Sequence, residues 1–181
     1  MRTLCGALLL TLALPCHAVD PALIKNLRQG GYILYMAPAS VDMKQKDSPV
    51  ISNYENCATQ RNLSDKGRRE ARTIGEQVKR LAIPVGQVLS SPYCRTTDTA
   101  TLAFGKAERT QTVRSVTDLR RIFATAPAEG TDLVIVSHTL PVNNDMRTLA
   151  PAETLVIKPG GKTGYTIAGR IRAEEWAKLK P

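Results

Sequence analysis

Apolar positions along this chain fall into short runs and helical stripes that alternate, which is the pattern of a sheet built from β-α-β units. Leu4 to Leu14 is almost continuously apolar. Pro21 to Gln29 then predicts a short helix with Leu23 and Leu27 on one face, closed by Gly30-Gly31. Tyr32 to Met36 predicts the first buried strand, with a loop starting at Ala37-Pro38. The polar, irregular stretch from Asp42 to Asn62 predicts a long excursion over the sheet edge. Ser64 is placed to cap a helix in which Ala71, Ile74, Val78 and Leu81 recur at helical spacing, with Pro84 ending it. Val85 to Leu89 predicts the second strand. A helix follows from Ser91-Pro92 to about Phe104, stopped by Gly105, and another lies near Thr117 to Ala124. Leu133 to Val136 is a strong buried strand. After His138 the chain predicts loop and short helix until two late strands, Thr154 to Ile157 and Tyr165 to Ile171, separated by the turn Pro159-Gly160-Gly161.

The start of the chain changes the picture. Arg2, the apolar run and Cys16-His17-Ala18 together read as a secretory signal over residues 1–18, leaving a single domain over 19–181 in the periplasm or outside the cell. Pro15 stands where a lipoprotein signal would want a small residue. The apolar run is too short to span a bilayer comfortably, so no membrane anchor is expected. Removing this leader lowers the formal net charge of +9 by its one arginine. Scattered Lys and Arg mostly form a solvated surface, and scarce aromatics argue against a nucleic-acid platform. Only Cys57 and Cys94 stay in the mature chain, so an exported protein could pair them, with two separately buried thiols as the other reading. No metal-ligand spacing and no cofactor motif is present.

Ligands of doubly wound sheets gather at the carboxyl ends of strands. Three segments qualify here: Ala37 to Val41, Ser90 to Arg95, and Ser137-His138. A phosphate pocket needs cations, exposed backbone N–H groups and a group that handles protons. Arg95 offers a planar fork for phosphate oxygens. His138, the one histidine beyond the leader, offers an imidazole that could also serve as a second cation when protonated.

Four blocks carry a resemblance. They are Gly30 to Met36, Cys57-x-x-Gln60-Arg61-Asn62-Leu63-Ser64-x-x-Gly67-Arg68, Ser90 to Thr96 with Thr99-Ala100, and Val134 to His138. In this order they resemble the histidine phosphatase superfamily, in its exported, phosphoglycerate-mutase-like branch. The resemblance implies a three-layer α/β/α sandwich with a mostly parallel central sheet. It also implies that Arg95 is the helix-borne phosphate arginine and His138 the second histidine of the site. The family places an Arg-His pair directly after the first strand, where the histidine becomes phosphorylated and the arginine binds phosphate. Here those positions are Ala37, the lost arginine, and Pro38, the lost nucleophile. Proline has neither a nucleophilic side chain nor a backbone N–H. Ala39 keeps the small residue that usually follows, whereas Val41 replaces a frequent hydroxyl. The family's acidic proton donor has no clear counterpart. Asp118 is one candidate, and an acid at a helix start is its other reading.

The expected function is thus a degenerate pocket for a phosphorylated or anionic small molecule, without phosphohistidine chemistry, its protein partner unspecified. The alternative is a phosphomonoesterase, with residual activity through His138 or full activity if Ala37-Pro38 is a compensated frameshift or a sequencing error. One inserted G ahead of CGC-CAC, with loss of the final C, turns Arg-His codons into the Ala-Pro codons GCG-CCA.

Overall fold

A computed structural model describes residues 21–160 and 164–181. The leader reading for residues 1–18 and the end of the Pro159–Gly161 turn lie outside these described residues. Eleven elements follow in order: α1 (Pro21–Leu27), β1 (Ile33–Met36), α2 (Asp65–Arg80), β2 (Val85–Ser90), α3 (Cys94–Phe104), β3 (Glu108–Arg109), α4 (Val116–Ala124), β4 (Asp132–Val136), α5 (Asn144–Arg147), β5 (Thr154–Pro159) and β6 (Tyr165–Ile171).

The strands form one sheet in the order β3-β2-β4-β1-β5-β6. The pairs β3/β2, β2/β4 and β4/β1 are parallel, whereas β1/β5 and β5/β6 are antiparallel. Side chains of the central strands alternate between two cores, as the pleat requires. Leu34, Met36, Val134, Val136 and Val156 meet α1, α2 and α3 on one face, with Trp176 from the C-terminal turn. Ile33, Tyr35, Ile135, Leu155 and Ile157 meet α4 and α5 on the other. The result is the expected three-layer α/β/α sandwich.

The α2 stripe packs as its spacing predicts, with Ala71, Ile74, Val78 and Leu81 all buried. Ser64 Oγ accepts from Gly67 N, capping the helix. Gly67 has a second duty, because a Cβ there would stand 2.0 Å from the Ser40 carbonyl oxygen. The helix can therefore press directly on the loop that follows β1.

Three expectations change. Helix α3 starts at Cys94 rather than at Ser91, because Ser91 N donates to Val136 O and so stays with the sheet. Helix α2 ends at Arg80 with Leu81 as its cap, and Ala82 turns to positive φ before Pro84 is reached. The excursion from Asp42 to Asn62 does not simply hug the sheet edge. It crosses the N-terminus of α3 through a Cys57–Cys94 disulfide and reaches edge strand β3 through the Glu55–Arg109 ion pair. The two-residue strand β3 is too short for any periodicity to reveal.

Candidate anion-binding site

Strand register brings the three suspected loops together. Met36 and Ser90 both pair with Val136, so the strands end level. Ser91 N and Ser137 N then donate to Val136 O and Met36 O, each at 3.0 Å. A cavity of about 290 Å³ opens there, lined by Ala37, Pro38, Ala39, Arg61, Arg95 and His138 among others. A larger, mostly apolar groove of about 530 Å³ lies at the opposite ends of β2 and β4. Its charged lining is Arg121, already paired with Asp118, and the buried Asp132, so it offers no group of cations to a ligand.

The segment that follows β1 is firmly held. Ala37 N donates to Glu153 O, Ala152 N donates to Pro38 O, and Ala39 N donates to Thr99 Oγ1. Thr99 Oγ1 in turn donates to the carbonyl of Arg95 at 2.7 Å, tying this loop to α3. Ser40 binds both oxygens of Glu70 through its N–H and hydroxyl. These bonds tie the loop after β1 to α2, to α3 and to the segment before β5.

Arg95 is the second residue of α3, and its side chain is only 11% exposed. Its Nη1 lies 2.9 Å from Asp47 Oδ1, and its guanidinium stacks over the Tyr93 ring at 4.3 Å. Asp47 Oδ1 also accepts from Arg61 N, and Asp47 Oδ2 lies 4.0 Å from Arg61 Nη2. One carboxylate thus sits between two guanidiniums at the cavity. Arg61 Nε is buried without an acceptor among the described residues, a donor that an anionic ligand could satisfy.

His138 follows β4 and shares a 2.9 Å hydrogen bond, Nε2 to Ser91 Oγ. The fully buried Tyr35 donates its phenol to the His138 carbonyl at 2.6 Å and fixes the backbone there. Tyr93 meets the imidazole edge to face at 4.9 Å. Burial lowers the His138 pKa to about 4, helped by the positive charges of Arg95 and Arg114 and opposed by Asp47. The imidazole is therefore neutral at pH 7 in the unliganded site. Ser91 is fully buried and lines neither cavity beside it, so its bond to His138 positions the ring rather than presenting a nucleophile.

Asp118 does not join the site. It pairs with Arg121 on its own helix, and its backbone N–H is capped by Ser115. Its role is the helix-start acid. Asp47 and Arg114 were missed because their contacts cross the fold. The sequence gives Asp47 only a place in a polar loop, with no spacing that predicts Arg95 as its partner. Arg61 stood inside a matching block without a role. Among the described residues no cluster of His, Cys, Asp and Glu could hold a metal ion, and no helix is long and apolar enough to cross a membrane.

Residues 53–124 match the family model of the histidine phosphatase superfamily (branch 1), a span that holds Arg61 and Arg95 and starts after Pro38. The fold agrees. The protein histidine phosphatase SixA, solved with tungstate, has a TM-score of 0.58 at 14% identity, covering 82% of this chain and 99% of its own. A histidine-to-alanine mutant of phosphoserine phosphatase from Entamoeba histolytica, in complex with phosphoserine, gives 0.54 at 11% identity, covering 80% and 98%. Mycobacterial glucosyl-3-phosphoglycerate phosphatase with VO3 gives 0.55 at 13%, covering 77% and 98%. No curated protein matches the chain. The resemblance to the histidine phosphatase superfamily holds, in sequence over residues 53–124 and in fold over most of the chain.

Proposed function

We propose that this protein is an exported binding domain of histidine phosphatase descent. Its cavity takes a phosphorylated or otherwise anionic small molecule and performs no phosphohistidine chemistry. The observation that carries this is one cavity lined by Pro38, Arg61, Arg95 and His138, with Pro38 the residue that the family resemblance aligns with the nucleophile. Two guanidiniums supply fork-shaped donors for phosphate oxygens, while proline supplies nothing that can be phosphorylated. The phosphoserine complex of the histidine-to-alanine mutant supports the idea that a pocket of this fold holds its ligand after losing a histidine. The Cys57–Cys94 disulfide supports an oxidising compartment, as the leader reading requires.

The second reading, hydrolysis with His138 as base, draws on the neutral imidazole beside the cavity. A base with a pKa of about 4 accepts protons poorly at pH 7, which favours binding over turnover. Calorimetric titration with inorganic phosphate is expected to show binding that Arg95→Ala weakens about tenfold or more. The unaltered chain is expected to leave p-nitrophenyl phosphate intact. Restoring the pair with Ala37→Arg and Pro38→His is expected to bring turnover and a phosphorylated imidazole, since both positions line the cavity. Flat titrations, or an affinity indifferent to Arg95→Ala, would sink the binding assignment. Turnover by the unaltered chain that disappears in His138→Ala would transfer it to the hydrolase reading.

A further inference from the structure

Beside the first cavity lies a second of about 260 Å³, lined by Tyr93, Arg95, Arg114, His138 and Leu140. The two share Arg95 and His138 in their linings, so they adjoin each other. Each has its own further arginine, Arg61 in the first and Arg114 in the second.

Arg114 is held in an unusual way for a buried-edge cation. It ends the 3-10 turn Thr112–Arg114 and donates through Nη1 to Tyr54 Oη at 2.9 Å and Gln111 Oε1 at 2.8 Å, both neutral acceptors. Its guanidinium stands 5.1 Å from the Tyr93 ring centre and 5.9 Å from that of Tyr54. Among the described residues it makes no ion pair with a carboxylate, in contrast to Arg95 and Arg61, which share Asp47. Aromatic faces and neutral oxygens therefore fix the position of Arg114 and leave its charge uncompensated. Arg95 also packs on the Tyr93 ring, so that ring is contacted by both guanidiniums. Two like charges so close repel each other, and the Asp47 carboxylate is the counter-charge the site supplies. A ligand with one anionic group answers part of that imbalance, and one with two answers more.

We propose that Arg114 forms a second anion subsite, and that the ligand is a small molecule carrying two anionic groups, one for each adjoining cavity. This rests on the binding reading above and narrows its ligand class.

The test uses alkanediol bisphosphates with spacers of two to six carbons, each compared with its matching monophosphate, by calorimetry in physiological salt. Two phosphates offer two ways to bind, which alone gives a factor of two. At least one spacer is expected to favour the bisphosphate about tenfold or more. Arg114→Gln is expected to bring that ratio back to about two, and Arg114→Lys, which keeps the charge, to retain part of it. A ratio near two for every spacer, or an advantage that survives Arg114→Gln, overturns the subsite. Inorganic phosphate that fails to bind overturns the first reading instead, so the two failures are distinguishable.

Discussion

Asp47 occupies the arginine fork that the cavity would otherwise present to a ligand. Its carboxylate lies 2.9 Å from Arg95 Nη1 and accepts from the backbone of Arg61, so it imitates part of an anion's contacts. An incoming phosphate must compete with it or share the guanidiniums with it. Asp47→Asn keeps an oxygen for Arg61 N and removes the charge. Phosphate affinity is therefore expected to rise roughly fivefold, as about 1 kcal/mol of competing ion pairing is lost. Titration of the variant checks this, and unchanged or weakened binding would show that Asp47 organises the arginines instead of opposing the ligand. Residues of this kind are the ones that sequence patterns do not announce. Arg95 and His138 follow directly on strands or open a helix inside recognisable blocks. Asp47 and Arg114 acquire meaning only through partners 48 and 60 residues away.

At the scale of elements, the start of α3 is built from elsewhere in the chain. Its cap residue Tyr93 contributes no side-chain bond, and Gln60 Oε1 accepts from Cys94 N in its place. The disulfide fastens the same two segments, 37 residues apart, with Cα atoms 5.8 Å from each other. Loop-closure entropy for that separation amounts to about 4 kcal/mol at most. Reduction, or the double change Cys57→Ser with Cys94→Ser, is expected to lower the midpoint of urea unfolding by a corresponding amount. A midpoint that stays put under reductant would mean the excursion is held by Gln60, Tyr54 and Asp47 without the cross-link. The helix stripes and strand runs were legible because each follows from one segment's periodicity. The late start of α3 was not, because the Ser91-Pro92 signal gives way to a sheet bond from Ser91 N to Val136 O.

Among the described residues, the half-buried His138 and the buried Asp132 have effects on stability that oppose each other. His138 has its pKa lowered to about 4, so the unfolded chain takes up a proton first as pH falls below the ordinary histidine value, and stability drops with it. Asp132 is fully buried, accepts from Tyr32 N and leaves Oδ2 without a partner among the described residues. Burial raises its pKa to about 7, so the folded chain holds that proton longer and stability drops as pH rises from the ordinary carboxylate range towards 7. Each contributes on the order of 3 kcal/mol across about pH 4 to 7. Relative to the unaltered protein, Asp132→Asn is expected to gain stability as pH rises through this window, and His138→Gln to gain as it falls. Unfolding curves at several pH values check both slopes. Parallel profiles for all three proteins would mean that neither group titrates differently on folding.

The sequence by itself determined the α/β architecture, the α2 stripe, the strand cores and the absence of a nucleophilic side chain at Ala37 and Pro38. These depend on spacing along one segment and on the chemistry of single residues. Tertiary structure alone decided which cations share a cavity, that Asp47 sits between Arg61 and Arg95, that Cys57 and Cys94 join, and that burial lowers the His138 pKa. Those outcomes depend on strand register and on a loop folded over the strand ends, where burial and the distances between charges set the energies.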